Sequence, residues 1–120
     1  EQWFAPHTAY SMSKYGMSMC VLGMAGELRE LGIAVNAIWP KTAIATAAVE
    51  FALGGQEMLK MCRKESIMAD AAYLVLNKDA KACSGNFFID EDLLRESGVS
   101  DFSGYKVDPT QELMPDFFVD

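Results

Sequence analysis

The sequence predicts an α/β fold in which two short parallel strands are flanked by helices. A long proline-free segment rich in Met, Leu, Ala and Tyr runs from about Thr8 to Leu31. Two apolar runs rich in β-branched or aromatic residues, "IAVNAIWP" and "SGNFFID", have the composition of buried strands. Helical periodicity fills the interval between them, as a crossover between parallel neighbours requires.

Taken in order, residues 8–31 read as one helix in spite of Gly16, Gly23 and Gly26, and Gly32 stands where a C-terminal cap belongs. Met12, Tyr15, Met19 and Leu22 fall on one side of it, and Met17, Val21, Met24 and Leu28 on another. A helix that is apolar on two sides is covered on both. The expected covers are a sheet and a further helix, the latter from a second copy in a homo-oligomer. Residues 33–39 form the first strand, ended by Pro40, and residues 86–89 the second, in the βα style of a parallel sheet. Between them, Thr42–Phe51 is expected to be helical and broken at Gly54 and Gly55, with Glu57–Arg63 a short helix. Ser66 is the expected N-cap of a further helix with Ile67, Ala71, Leu74 and Val75 at helical spacing. Met58, Leu59, Met61 and Cys62 either line an apolar pocket or fill core. From Glu91 on, an acidic start followed by Pro109 and Pro115 predicts an extended tail over residues 91–120, whose Phe117 and Phe118 need a surface to cover them.

Composition narrows the function classes. At 120 residues, 51% hydrophobic and 22% charged, the chain is at most one globular domain, and no apolar run approaches the ~20 residues that span a bilayer. Ten Lys and Arg are scattered through a chain of net charge −7 and pI 4.6, which repels phosphate backbones, so nucleic acid is not an expected partner. Cys20, Cys62 and Cys83 are odd in number and far apart, as buried thiols of a reducing compartment are. With His7 the single histidine, no metal site is expected. These features predict a soluble intracellular protein, cytoplasmic, or peroxisomal or mitochondrial in a eukaryote.

The chemistry-bearing feature is Tyr10 with Lys14. Residues at i and i+4 project from one helical face, so a phenol and an ammonium stand close together. A free tyrosine has a pKa of about 10, and an adjacent cation stabilises the phenolate and moves that value toward neutrality. The pair then gives or takes one proton at a carbonyl or carbinol oxygen while a hydride moves at carbon. Taken alone the spacing is weak, because Lys commonly lies along apolar surface while Tyr places its ring in a core.

The setting adds to it. "AYSMSKYGMSM", "GIAVNAIWPKTAIATAA", "ADAAYLVL", "SGNFFIDE" and "MPDFFVD" together resemble the short-chain dehydrogenase/reductase family, over essentially the whole chain but as the C-terminal half of the family's domain. The resemblance implies the C-terminal half of a Rossmann-like, doubly wound parallel sheet and an NAD(P)-dependent oxidoreductase acting on a small-molecule alcohol or carbonyl. It implies that Tyr10 is the catalytic acid/base. Lys14 lowers the pKa of that phenol and holds the nicotinamide ribose hydroxyls, and the loop after Pro40 receives the carboxamide of NAD or NADP. Ile44 and Thr46 are the candidates on that loop, with Thr42 beside them. The family usually has Gly where this chain has Lys41, and Thr46 comes about one position late. Thr42 and Thr46 also suit helix-capping hydroxyls.

A Gly-rich turn that lets backbone approach a pyrophosphate is not found. Gly23 and Gly26 lie inside a helix, and Gly54-Gly55 neither follows a strand nor opens a helix of the required kind. The family's catalytic Ser would fall before Glu1, and Ser11 and Ser13 are too close to Tyr10 to replace it. The expectation is a catalytic half without its N-terminal cofactor-binding half, inactive alone. The competing reading is a truncated, non-catalytic oligomerisation module.

Overall fold

Helix α1 (Thr8–Glu27) is shorter than the sequence suggests. The computed structural model describes residues 4–119, the side chains of residues 52 and 53 excepted. After Glu27 the ladder tightens into a 3₁₀ turn at Arg29–Leu31, and the segment closes on Gly32, whose φ of +69° suits glycine. The Gly32 N–H donates to the Arg29 carbonyl and the Ile33 N–H to that of Leu28, a Schellman closure with the glycine at C′ as expected.

Strands β1 (Ala37–Trp39) and β2 (Phe87–Ile89) pair as a two-stranded sheet. The pairing is parallel: the Gly85 N–H donates to Val35 and then the Ala37 N–H to Asn86, with both chains ascending. The first strand was expected from residue 33, and Asn36 accounts for its late start. The Asn36 Oδ1 accepts the backbone and side-chain N–H groups of Asn86 at 3.0 and 2.9 Å, and the Val35 N–H goes to the Ser84 hydroxyl at 3.1 Å. Side chains thus take the place of ladder bonds at this end.

The chain divides into two compact units: residues through Ala37 with Asn77–Phe88, and Ile38–Leu76 with the residues from Ile89 on. In the first, α1 buries only Ser11 and Ala25, while Met12, Met19 and Leu22 are 71%, 72% and 59% exposed. The second holds two small cores. Ala43, Val49 and Cys62 gather Ala45, Met58, Leu59 and Met114, and Ile67, Leu94 and Phe102 gather Ile44, Met68, Leu74, Val99 and Tyr105. Met58, Leu59 and Cys62 therefore serve as core, and Met61 is exposed.

The second unit corrects several expectations. Thr42–Ala45 are extended rather than helical, because the Ala43 and Ala45 N–H groups are taken by the carbonyls of Met114 and Arg63. Helical backbone begins only at Ala47 and passes through a π-turn, Val49–Gly54, into α2 (Gly55–Lys60). The break falls at Gly55, whose φ of +65° is a conformation that side chains disfavour. Helix α2 stops at Lys60, short of Arg63. Ser66 is the first residue of α3 (Ser66–Leu76) rather than its N-cap, since the carbonyls of Lys64 and Glu65 receive the first N–H groups. Ile67 and Ala71 are fully buried on that helix as its periodicity predicts.

Residues 91–120, expected as an extended tail, open instead within helix α4 (Asp90–Glu96) and include a 3₁₀ turn at Ser103–Tyr105. Acidic residues in a first turn favour a helix N-terminus, and Leu93 and Leu94 give the helix an inner face. From there the chain runs against other residues of the second unit. The Val107 N–H donates to Cys62, the Met114 N–H to Met61, and Trp39 meets Phe118 edge to face at 6.4 Å. Asp120 lies outside the described residues. Among the described residues no helix is long and apolar enough to cross a membrane, and no cluster of His, Cys, Asp or Glu has the makings of a metal site.

Candidate active site

Tyr10 and Lys14 occupy the first turns of α1, and the structure brings them together. The Lys14 ammonium lies over the Tyr10 ring, 5.4 Å from its centroid. Both residues are exposed, Tyr10 at 42%. The cation lies against the electron-rich face of the phenol, where ring quadrupole and charge attract. Lys14 carries that ammonium on a flexible four-carbon stem. Ser13 donates its hydroxyl to the Tyr10 carbonyl at 2.7 Å, and Ser11 is buried with its hydroxyl unpartnered.

The other sequence-derived candidates, Pro40, Thr42, Ile44 and Thr46, lie in the second unit. Lys41, Ala43 and Ala45 spend their N–H groups on Asp90, Met114 and Arg63 respectively. In an extended segment alternate residues direct their amides to opposite sides, so Thr42 and Ile44 turn theirs away from the Met114 and Arg63 strands. The Thr42 hydroxyl is buried and has no partner. Thr46 is exposed, and its carbonyl accepts the Glu50 N–H at 3.0 Å, so it stands at the head of the following helical segment. Lys41 replaces the family's usual glycine without strain, since its φ is not in the left-handed region.

A polar cluster that the sequence reading missed anchors this loop. Asp90 is 0% exposed, and its Oδ1 accepts the N–H of Lys41 at 2.9 Å and that of Glu91 at 2.7 Å. The buried Glu91 holds Arg63 Nη2 at 2.6 Å and Arg95 through Nε and Nη2 at 3.0 and 2.8 Å. Both guanidiniums also lie near the Phe102 ring, at 5.4 and 4.6 Å from its centroid. Burial pushes the Asp90 carboxyl above its ordinary value despite the bonds it accepts from Lys41 and Glu91. At Glu91 burial pushes the same way, but hydrogen bonds from Arg95 and Arg63 outweigh it and hold the carboxyl below its ordinary value. Arg63 Nε and Nη1 and Asp90 Oδ2 are buried without a protein partner, donors and an acceptor of the kind that an ordered water satisfies. The signal in the sequence was "IDEDLLRE", where Glu91 and Arg95 stand four apart directly after a strand.

Each group, taken by itself, has chemistry that suits part of a nicotinamide nucleotide: the buried Thr42 hydroxyl is an unpartnered donor of the kind a carboxamide oxygen accepts, and an exposed phenol with an ammonium suits hydroxyl groups.

The comparisons agree with the fold and the resemblance. No family model matches the chain. Over 118 residues it is 58% identical to Hydroxysteroid dehydrogenase-like protein 2 of Danio rerio and 53% identical to that of Homo sapiens, in each case 98% of this chain and 28% of the relative. It superposes on a short chain dehydrogenase from Mycobacterium thermoresistibile with a TM-score of 0.84 and 51% identity, covering 99% of this chain and 42% of that one. A candidate dehydrogenase from Xanthomonas campestris gives a TM-score of 0.89 and 44% identity, with 98% and 43% covered. The chain thus spans less than half the length of each of these four proteins. At these identities, with the two-stranded parallel sheet and flanking helices in common, the chain is similar in both sequence and fold to part of a short-chain dehydrogenase.

Proposed function

We propose that this chain supplies the acid/base pair and the nicotinamide-facing loop of an NAD(P)-dependent oxidoreductase acting on a small-molecule alcohol or carbonyl. The observation that carries the reading is the Lys14 ammonium against the exposed Tyr10 phenol at the head of α1. Tyr10 takes the hydroxyl proton of an alcohol as the phenolate, becoming the phenol, or as the phenol gives its proton to a carbonyl oxygen. Lys14 stabilises the phenolate form that is consumed in the first direction and produced in the second. Lys14 also donates to ribose hydroxyls. Thr42 and Ile44, with Pro40 and Thr46 around them, hold the carboxamide. A bound nicotinamide supplies or accepts the hydride that leaves or reaches carbon. No residue of this sequence is assigned to the pyrophosphate cradle or to the role of the family's catalytic Ser.

The test uses a polypeptide in which this sequence continues into the Gly-rich half that the resemblance calls for. Tyr10→Phe is expected to keep cofactor binding and to lose about 10²–10⁴-fold in turnover, the usual worth of a general acid/base. Lys14→Ala is expected to weaken both. Near-normal turnover in Tyr10→Phe defeats the mechanism. The 120-residue chain alone is expected to show no hydride transfer.

A second reading, a non-catalytic module acting through association, is favoured by the exposure of Met12, Met19 and Leu22 on α1. Titration with NADH or NADPH, followed by cofactor fluorescence, separates the two, together with the mass of the intact polypeptide.

A further inference from the structure

We infer that Asp90 is a positioning residue whose buried carboxylate fixes the backbone of Lys41 and so sets how residues 40–46 present Thr42 and Ile44. Its consequence for cofactor binding rests on the oxidoreductase reading above, while its structural content stands on the second unit alone.

Most anchors of this loop join backbone to backbone: Ala43 to Met114, Arg63 to Ala43, Ala45 to Arg63 and Asp116 to Lys41. The end next to β1 is different. Pro40 has no N–H to give, so the first amide available after the strand is that of Lys41. Asp90 follows β2 directly, as Pro40 and Lys41 follow β1, and its Oδ1 takes that amide at 2.9 Å. A side chain therefore continues the pairing past the point where proline ends the ladder. The same oxygen accepts the Glu91 N–H at 2.7 Å, tying the start of α4 to the same point. The carboxylate is 0% exposed, so water does not compete for either bond. The Lys41 ammonium adds contacts to Asp92 at 3.1 Å and Glu91 at 3.7 Å, but it is 41% exposed, and such surface pairs contribute little. What matters at position 41 is the amide, which any residue but proline supplies.

The experiment compares Asp90→Ala, Asp90→Asn, Lys41→Pro and Lys41→Ala in the cofactor-competent polypeptide, measuring amide hydrogen exchange and the steady-state constants. Hydrogen bonds to charged groups are worth about 1.5–3 kcal/mol, which corresponds to roughly 10–150-fold. Asp90→Ala is expected to speed exchange at Lys41 by about that factor and to raise the KM for NAD(P)H correspondingly, with kcat changed far less and exchange at Ile67 unaltered. Asp90→Asn, which keeps an acceptor oxygen, should restore protection at Lys41. If Asp90→Ala does not fold, Lys41→Pro removes the same bond from the donor side, read against Lys41→Ala as its baseline. Unchanged Lys41 exchange in Asp90→Ala, an equal rise at Ile67, or equal KM values in Lys41→Pro and Lys41→Ala overturns the inference. Failure of the oxidoreductase reading looks different: the unmodified polypeptide then shows no saturation by NADH or NADPH, while the exchange data still decide whether Asp90 holds the loop.

Discussion

Helices α1 and α4 are built on opposite plans. The first has 20 residues and buries Ser11 and Ala25; the second has seven and buries Asp90, Glu91, Leu93 and Leu94. Helix α1 therefore owes little of its stability to packing within its unit and offers apolar sides for other surfaces to cover. Helix α4 is fixed by what lies around it, including charges out of contact with water. The proposed chemistry is divided the same way, with an exposed proton-transfer pair on α1 and a loop held in place from below by buried ions.

The strongest way to break the comparison is to remove one buried charge. Glu91→Ala leaves the Arg63 guanidinium, 5% exposed, without its counterion. Stranding a buried partner costs about 3–5 kcal/mol, so the urea midpoint of the second unit should fall steeply. The lowered Glu91 pKa adds a pH signature. Its contribution is complete above the ordinary carboxylate range and is lost as pH falls through the lowered folded-state value, whereas protonation of Asp90, whose pKa is raised, works in the opposite direction. A Glu91→Ala protein of unaltered midpoint shows that the cluster is peripheral.

Next in size is Ile67→Ala. Ile67 is 0% exposed and packs with Leu94 and Phe102, and truncating such a residue costs about 2–5 kcal/mol through lost burial and the cavity left behind. Equilibrium unfolding checks it. A loss near that of an exposed α1 residue erases the contrast between the two regions.

A smaller effect is expected at Tyr105, whose hydroxyl donates to Asp70 Oδ2 at 2.6 Å and ties the C-terminal segment to α3. That hydrogen bond, with burial and the charge of Asp70 behind it, pushes the phenol from 10.0 up to about 12. Because the folded-state value is the higher one, the contribution is complete below pH 10.0 and is lost as pH rises through about 12. Alkaline unfolding should steepen across that window in the parent chain and flatten in Tyr105→Phe, as followed by circular dichroism.

What the sequence made legible follows from range of interaction. Periodicity marked α1, the inner face of α3 at Ile67 and Ala71, and the apolar run that became β2; the left-handed preference of glycine marked Gly32; and the spacing of Tyr10 and Lys14 placed them together. Local pattern did not reveal that Asn36 would take over ladder bonds and shorten β1, or that Thr42–Ala45 would be drawn out by Met114 and Arg63. Nor did it show that "DED" would be largely buried. Acidic residues ordinarily signal a solvated surface, and that signal is overturned only by a cation arriving from a distant part of the chain, here Arg63. The pairing of Tyr10 with Lys14 was the more legible feature because it is local, while the polar cluster around Asp90 and Glu91 is not.

The smallest effect on stability, and the one that sharpens the comparison most, is expected on α1. Met19 is 72% exposed, so Met19→Lys should change the stability of the chain by less than about 0.5 kcal/mol, as substitutions away from packed features do. Its consequence should appear in assembly instead. The apolar sides of α1 are proposed to pair with another copy of the chain, and a lysine introduced there places a charge in what is otherwise a Met- and Leu-rich contact. Light scattering of the parent should then show an oligomer that Met19→Lys weakens, with the circular dichroism of the two proteins superposable. A parent that stays monomeric with α1 exposed defeats the pairing, whereas a variant that loses its helix shows that Met19 is held within its own unit after all.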